Sequence, residues 1–212
     1  PSGSGKTTLL SILAGLDSAE SGEVWYNGEQ ITANRLYHYR RNQIGIVFQQ
    51  YNLINYLTGI ENVELAMTET DNAVPKNRRE IAYALLEKVG IVRSKAERPI
   101  SKLSGGEQQR IAIARTVLSP QPILIFDDSL SAVDTQTDAK IRAALKEVQS
   151  QTTTLIITQR VASAMDADLI LVLEQGRITQ AGTHDQLLEE EGLYRRIVEI
   201  QTARMNEGGE EA

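Results

Sequence analysis

The sequence has no cysteine, a single tryptophan and only 5% aromatic residues, and it contains no long apolar run. Disulfide bonds and thiolate metal sites are therefore excluded, and we expect neither a signal peptide nor direct insertion of this chain into a membrane. The net charge of −6 argues against a protein that coats nucleic acid. It does not exclude a local anion site, because backbone N–H groups at a helix end provide one without basic side chains.

The first eight residues have the features of a phosphate-binding loop that leads into a helix. Glycines let successive N–H groups point at phosphate oxygens, and the helix start adds further donors. In the pattern G-x-x-x-x-G-K-[ST], Lys6 would reach the β- and γ-phosphates and Thr7 would ligate magnesium. The pattern opens one residue before Pro1, so we expect the given sequence to start inside it. A Gly/Ser turn before an ordinary helix is the alternative. The candidate phosphate-binding residues are Ser2, Gly3, Ser4, Gly5, Lys6, Thr7 and Thr8.

Apolar periodicity and turn residues predict an α/β fold, and 41% apolar content in 212 residues suffices for the core of one domain. A helix over 6–14 should end at Gly15, and Asn27-Gly28 should join a β-hairpin. Buried strands are predicted over 43–48, 122–127, 153–158 and 169–173. Helices are predicted over 35–41, within 60–89, from 104 to 118 and over 137–148, and a pair of helices over 183–204, with His184 at a helix start. The last eight residues, 205–212, are predicted to be a disordered tail.

Polar side chains follow the buried strands where ligands bind in open α/β sheets. Gln49 follows the strand over 43–48, and its amide oxygen can ligate magnesium or position water, although a solvated loop amide is the alternative. Asp127 ends the next buried strand and is the candidate magnesium ligand. Asp128 beside it is the candidate general base. Asp134 lies near the start of the following predicted helix, where a carboxylate suits the helix dipole.

A second candidate anion site lies at residues 104–107, Ser-Gly-Gly-Glu. Ser104 and Glu107 have the spacing of a capping box at a helix start. Gly105 and Gly106 would leave backbone N–H groups open to a bulky anion, with no side chain in the way. An ordinary capped helix explains the serine and the glutamate but not two adjacent poor helix formers in the first turn.

In their order along the chain, these motifs resemble those of the nucleotide-binding domain of ATP-binding cassette (ABC) transporters. The loop at 3–7 is similar to the Walker A motif, Gln49 to the Q-loop, 103–107 to the signature, Asp127 to Walker B and Asp134 to the D-loop. The resemblance implies a P-loop NTPase (RecA-like) core with a parallel sheet, formed by 1–48 and 119–204 without its first strands. It also implies an inserted all-α signature subdomain over 49–118.

The same resemblance implies what the domain binds. ATP and Mg²⁺ would lie between the phosphate loop of one domain and the Ser-Gly-Gly of a second, so the cofactor-binding set includes Ser104, Gly105, Gly106, Glu107 and Asp134. Opening and closing of this homo- or heterodimer would drive transmembrane domains that touch the Q-loop region. The chain would then sit at the cytoplasmic face of the cell membrane through these domains, without binding nucleic acid.

Three departures from the family pattern accompany the resemblance. The family's adenine-stacking aromatic residue would precede Pro1. Its catalytic glutamate falls on Asp128, whose shorter side chain draws the carboxylate back from the water. Its switch histidine falls on Gln159, which can donate a hydrogen bond but cannot carry a proton-relay charge. The two changes predict a degenerate site that binds ATP and hydrolyses it slowly, while residues 103–107 could complete the site of a partner.

The two halves of the chain resemble different branches of the family. Residues 48–53 and 59–63 are similar to lipoprotein-release and macrolide-efflux ATPases, whereas 131–134 and 176–194 are similar to multidrug exporters. A junction of two parent sequences near 120–127 would also explain the mixture. Two other functions stay open: a nucleotide-gated dimerisation module without significant hydrolysis, and an ABC ATPase of a soluble complex that acts on ribosomes or DNA.

Overall fold

The computed structural model describes residues 3–48, 50–68, 75–118, 121–127 and 152–207. The strands in this part of the chain are β1 (Trp25–Tyr26), β2 (Glu29–Gln30), β3 (Ile44–Val47), β4 (Ile123–Asp127), β5 (Thr153–Ile157), β6 (Ile170–Glu174) and β7 (Arg177–Gly182). The α-helices are α1 (Lys6–Leu13), α2 (Leu36–Gln43), α3 (Gly59–Thr68), α4 (Arg78–Lys88), α5 (Arg93–Ala96), α6 (Gly105–Val117), α7 (Val161–Ala164), α8 (His184–Glu189) and α9 (Leu193–Glu207). Two short 3₁₀ helices cover Ala33–Arg35 and Ile100–Lys102. The predicted helix over 137–148 lies outside the described residues.

The central sheet is parallel, with the strand order β3-β4-β5. Its side chains alternate between two faces, as strand geometry requires. Leu124 and Phe126 point into a large core shared with the helices α3, α4 and α6, whereas Ile125 packs with Leu10 and Ala14 of the α1 region. Helices thus cover both faces of the sheet, and the predicted α/β class with a parallel sheet is confirmed.

Local turn chemistry agrees with the sequence where strong signals exist. Asn27 and Gly28 both have positive φ, 49° and 78°, and join β1 to β2 as a two-residue hairpin. Gly15 follows α1 with a φ of 66° and ends the helix as predicted. His184 is the first residue of α8, which Thr183 caps through a capping box with Gln186.

The C-terminal part of the described chain packs as a separate cluster. The antiparallel strands β6 and β7 supply Ile170 and Val172, and the helices α8 and α9 supply Leu187 and Tyr194. The helix α9 continues to Glu207, three residues into the predicted tail. Among the residues with assigned structure, no helix is both long and apolar enough to cross a membrane.

Candidate functional site

The loop before α1 has the backbone shape that phosphate binding requires. Gly3 and Gly5 adopt positive φ values of 83° and 90°, which a residue with a Cβ rarely adopts. Ser4 between them is buried, and Lys6 Nζ donates to Ser4 Oγ at 2.8 Å. Gly5 is the N-cap of α1 and, having no side chain, makes no side-chain cap bond to the N-terminal donors of this helix. The exposed Thr7 hydroxyl follows directly.

The turn between β6 and β7 contacts this loop and holds it by a backbone hydrogen bond. The N–H of Gly176 donates to the Ser4 carbonyl at 3.0 Å, and a Cβ placed on Gly5 would lie 3.4 Å from Gly176 Cα. Gln175 and Gly176 both have positive φ, as a tight hairpin turn requires. Sequence reasoning did not predict this contact, since nothing in the local pattern links Ser4 with Gly176, 172 positions away.

The start of α6 is a complete capping box. The Ser104 hydroxyl accepts from Glu107 N–H at 3.3 Å, and the Glu107 carboxylate accepts from Ser104 N–H at 2.8 Å. Hydrogen bonds from Lys95 of α5 and from Ser104 N–H lower the pKa of Glu107 from 4.5 to about 2. Sequence reasoning did not anticipate the lysine partner.

The box leaves two backbone donors open in the first turn of α6. Within the described ranges, no hydrogen bond occupies the N–H groups of Gly105 and Gly106. A Cβ on Gly105 would meet only the Tyr51 hydroxyl, at 3.7 Å, and one on Gly106 only the Arg110 guanidinium, also at 3.7 Å. Neither glycine position is crowded by a neighbouring side chain.

Strand register brings two other candidate residues, Asp127 and Gln159, to one edge of the sheet. Val47 lies opposite Phe126, and Asp127 lies opposite Ile157, so the carboxyl ends of β3, β4 and β5 are level. Asp127 is the last residue of β4, and Gln159 follows β5 by two residues. Ser2, Gln49, Asp128 and Asp134 lie outside the described residues, and their roles stay predictions.

The helix α6, which begins within the signature residues 103–107, binds the segment that follows position 49. Tyr51 and Asn52 both adopt left-handed backbone conformations, with φ of 62° and 47°. Arg115 of α6 donates to the Asn52 carbonyl at 2.6 Å and to the Tyr51 carbonyl at 3.1 Å. Burial lowers the pKa of this arginine, yet the group stays charged at any ordinary pH. No sequence signal pointed to Arg115. The left-handed conformation of Asn52 is one that asparagine tolerates.

The two candidate anion sites do not meet within one chain. In the part that the structure describes, the side-chain hydrogen bonds of residues 104–107 go to Lys95 of α5 and to one another, and those of Gln108 go to the Ile100 and Leu103 carbonyls. None of them goes to the loop at 3–8. The described residues also contain no group of three or more histidine and carboxylate side chains that could hold a metal on their own.

Comparison with known proteins gives a consistent family. The ABC transporter family profile matches residues 1–131. A sulfate/thiosulfate import ATP-binding protein from Shewanella oneidensis is 38% identical over 195 residues, which are 89% of this chain and 54% of that protein. An ATP-dependent lipid A-core flippase from Ralstonia nicotianae is 40% identical over 210 residues, which are 96% of this chain and 35% of the flippase. The chain thus spans about half the length of the first relative and about a third of the second.

Solved structures agree with the sequence relatives. A dimeric ATP-binding cassette in a post-hydrolysis state, bound to ADP and Pi, superposes with a TM-score of 0.78 at 35% identity, covering 86% of this chain and 82% of that one. A bacterial Atm1-family ABC exporter with ATP bound gives a TM-score of 0.83 at 32% identity, covering 95% of this chain and 35% of the exporter. The chain therefore belongs to the ABC transporter family, as an ATP-binding cassette with the P-loop NTPase fold.

Proposed function

We propose that this chain binds MgATP between its own phosphate loop and the Ser104-Gly105-Gly106 helix start of a second cassette, and that slow hydrolysis there powers a transporter. The observation that carries the proposal is that one chain offers a helix start behind two positive-φ glycines and a second helix start with two unbonded glycine amides, and that no hydrogen bond joins the two among the described residues. Each is suited to an anion, and a second copy or a related chain would bring them together across one triphosphate.

The residues present fit ATP and magnesium. Two positive-φ glycines before a helix start suit phosphate oxygens, and the Lys6 ammonium, which donates to Ser4 Oγ, would bind them too. When bound, magnesium would neutralise phosphate charge, with Thr7 and Asp127 as its ligands from the described part of the protein. Gln49 is the further proposed ligand. The bare amides of Gly105 and Gly106 would bind the triphosphate of the facing site.

Two substitutions favour a slow site. The general base at position 128 is aspartate, and a carboxylate set back by about 1 Å can cost about a hundredfold in rate. Position 159 is glutamine, which can orient a phosphate oxygen but cannot carry positive charge. We therefore infer that the chain binds ATP well and contributes a complete signature to its partner. These residues equally favour the second candidate, a module in which nucleotide binding alone is the useful event.

The transport role draws support from the relatives. One is named an import ATP-binding protein, and another, from Agrobacterium fabrum, a β-(1→2)glucan export ATP-binding/permease protein. Both names concern movement of a compound across a membrane, which favours transport over a complex that acts on ribosomes or DNA. We accordingly propose transmembrane domains as partners, with this cassette at the cytoplasmic face of the membrane. The cargo depends on those domains.

Restoring the two family residues tests the slow site. In the full-length protein with its partner, Asp128→Glu and Gln159→His should each raise single-turnover hydrolysis of trapped ATP, and the pair should raise it most. Glu189→Asp, on the exposed surface of α8, serves as the control for a carboxylate change of the same size. Unchanged rates in both restored variants would refute the slow-site proposal. Undetectable hydrolysis in all variants, with intact binding, would favour the binding module.

A further inference from the structure

We propose that Gln201, on the C-terminal helix α9, is a positioning residue for the loop that carries Gln159. The packing of α9 on the β6–β7 cluster would then determine the orientation of Gln159 relative to the bound nucleotide. This inference rests on the proposed function, because Gln159 matters for hydrolysis only if a triphosphate occupies this site.

One side-chain amide spans both ends of the loop. Gln201 Nε2 donates to the Gln159 carbonyl at 2.7 Å, and Gln201 Oε1 accepts from the Val161 N–H at 2.9 Å. The orientation of this amide follows from its partners, since a carbonyl must meet a donor and an N–H must meet an acceptor. A carboxylate at position 201 could make only the second bond, and an aliphatic side chain could make neither.

Only short-range bonds otherwise hold this loop among the described residues. The Arg160 carbonyl accepts from Ser163 N–H at 3.1 Å. The loop's only local bond between side chain and backbone in the described chain runs from Arg160 N–H to Thr158 Oγ1, at 3.0 Å. The helix α7 that follows has four residues and no side-chain cap, so it is too short to fix its own start. The conformation between β5 and α7 therefore depends on a residue 40 positions away.

The helix that supplies Gln201 is anchored nearby. Tyr194 is buried in the cluster formed with β6, and the half-buried Val198 packs against the same cluster. Gln201 lies three residues beyond Val198, which places the two side chains on neighbouring positions of one helix face. A shift of α9 on this cluster would thus move the amide that holds Gln159.

Two substitutions of Gln201 distinguish the contributions of its two hydrogen bonds. Gln201→Glu keeps the size of the side chain and the acceptor for Val161 but removes the donor to Gln159, whereas Gln201→Leu removes both. Thr202→Ala, at the next and exposed position of α9, is the matched control. The full-length protein with its partner cassette would be used, both in the parent form and with Asp128→Glu. MgATP affinity and single-turnover hydrolysis are measured separately.

We expect both Gln201 variants to hydrolyse bound ATP about three- to tenfold more slowly, as the loss of one or two hydrogen bonds predicts, with MgATP affinity unchanged. Thr202→Ala should match the parent. In a Gln159→Ala background, Gln201→Leu should cause no further loss, because the side chain that it positions is gone. If Gln201→Leu fails to fold, Gln201→Glu still tests the donor bond.

Parent-like hydrolysis in the Gln201 variants would overturn the inference, as would an equal loss with and without the Gln159 side chain. The failure of the proposed function has a different signature. If the parent protein does not bind MgATP at all, both proposals fall. If it binds MgATP and the hydrolysis rate is unchanged in the Gln201 variants, the proposed function stands and only the positioning role is lost.

Discussion

Replacing Glu107 with glutamine removes one charge at the start of α6 and keeps the groups that form the capping box, since glutamine also serves at that position. The parent carboxylate is only 12% exposed and is paired with Lys95. We expect Glu107→Gln to lower the free energy of unfolding at neutral pH and to leave the helix start in place.

The magnitude follows from the pKa of Glu107, which is lowered from 4.5 to about 2. At about 1.4 kcal/mol per pKa unit, the whole shift corresponds to roughly 3 kcal/mol. Glutamine keeps the bond from Ser104 N–H, and Lys95 is 43% exposed to screening water. The expected loss at pH 7 is therefore smaller, about 1 to 2 kcal/mol.

The sign of the pH dependence distinguishes this ion pair from a packing effect. Because the folded pKa lies below the unfolded one, the stabilisation is complete above pH 4.5 and is lost as the pH falls towards 2. Urea denaturation of parent and variant, followed by circular dichroism between pH 7 and pH 3, measures the difference. It should be constant down to about pH 5 and should shrink below that value.

Lys95→Met provides the second arm of a double-mutant cycle. Each single variant should lose a similar free energy of unfolding, and the double variant should lose little more than either. A difference between parent and Glu107→Gln that does not change with pH, or fully additive losses in the cycle, would refute the reasoning.

Two further substitutions test contacts that the structure adds to the site. Arg115→Lys keeps the charge but cannot donate to the Tyr51 and Asn52 carbonyls at the same time with a planar guanidinium. It should lower the free energy of unfolding, measured in urea, by about 1 to 2 kcal/mol. A parent-like value would show that the paired hydrogen bonds are not needed. Gln109 is fully buried, and its amide atoms have no partner among the described residues. Gln109→Leu should therefore leave the unfolding free energy unchanged or raise it, and a loss above about 2 kcal/mol would reveal a partner outside the described residues.

Sequence predicted best what depends on neighbouring residues. The Asn27-Gly28 hairpin, the capping box at Ser104 and the end of β4 at Asp127 each follow from turn, cap or strand chemistry within a few positions. The parallel sheet followed from short apolar runs separated by helical stretches. Such local signals are strong because they act through the backbone of the same segment.

Contacts between distant segments could not be predicted in this way. The support of Ser4 by Gly176, the Arg115 bonds to the loop at Tyr51 and the Gln201 bonds around Gln159 join elements far apart in sequence. Their residue types are common surface polar groups, and only the packed fold gives them partners. A sequence without an alignment carries no signal for such pairs.

The central claim is that a triphosphate binds on the backbone amides beside Lys6. Equilibrium binding of MgATP to the full-length protein with its partner, compared with Lys6→Ala and with Lys76→Ala as an exposed-lysine control, tests it directly. We expect Lys6→Ala to weaken binding by roughly ten- to a hundredfold, as loss of a charge-assisted hydrogen bond predicts, and Lys76→Ala to bind as the parent does. Undiminished affinity in Lys6→Ala, or an equal loss in the control, would contradict the account.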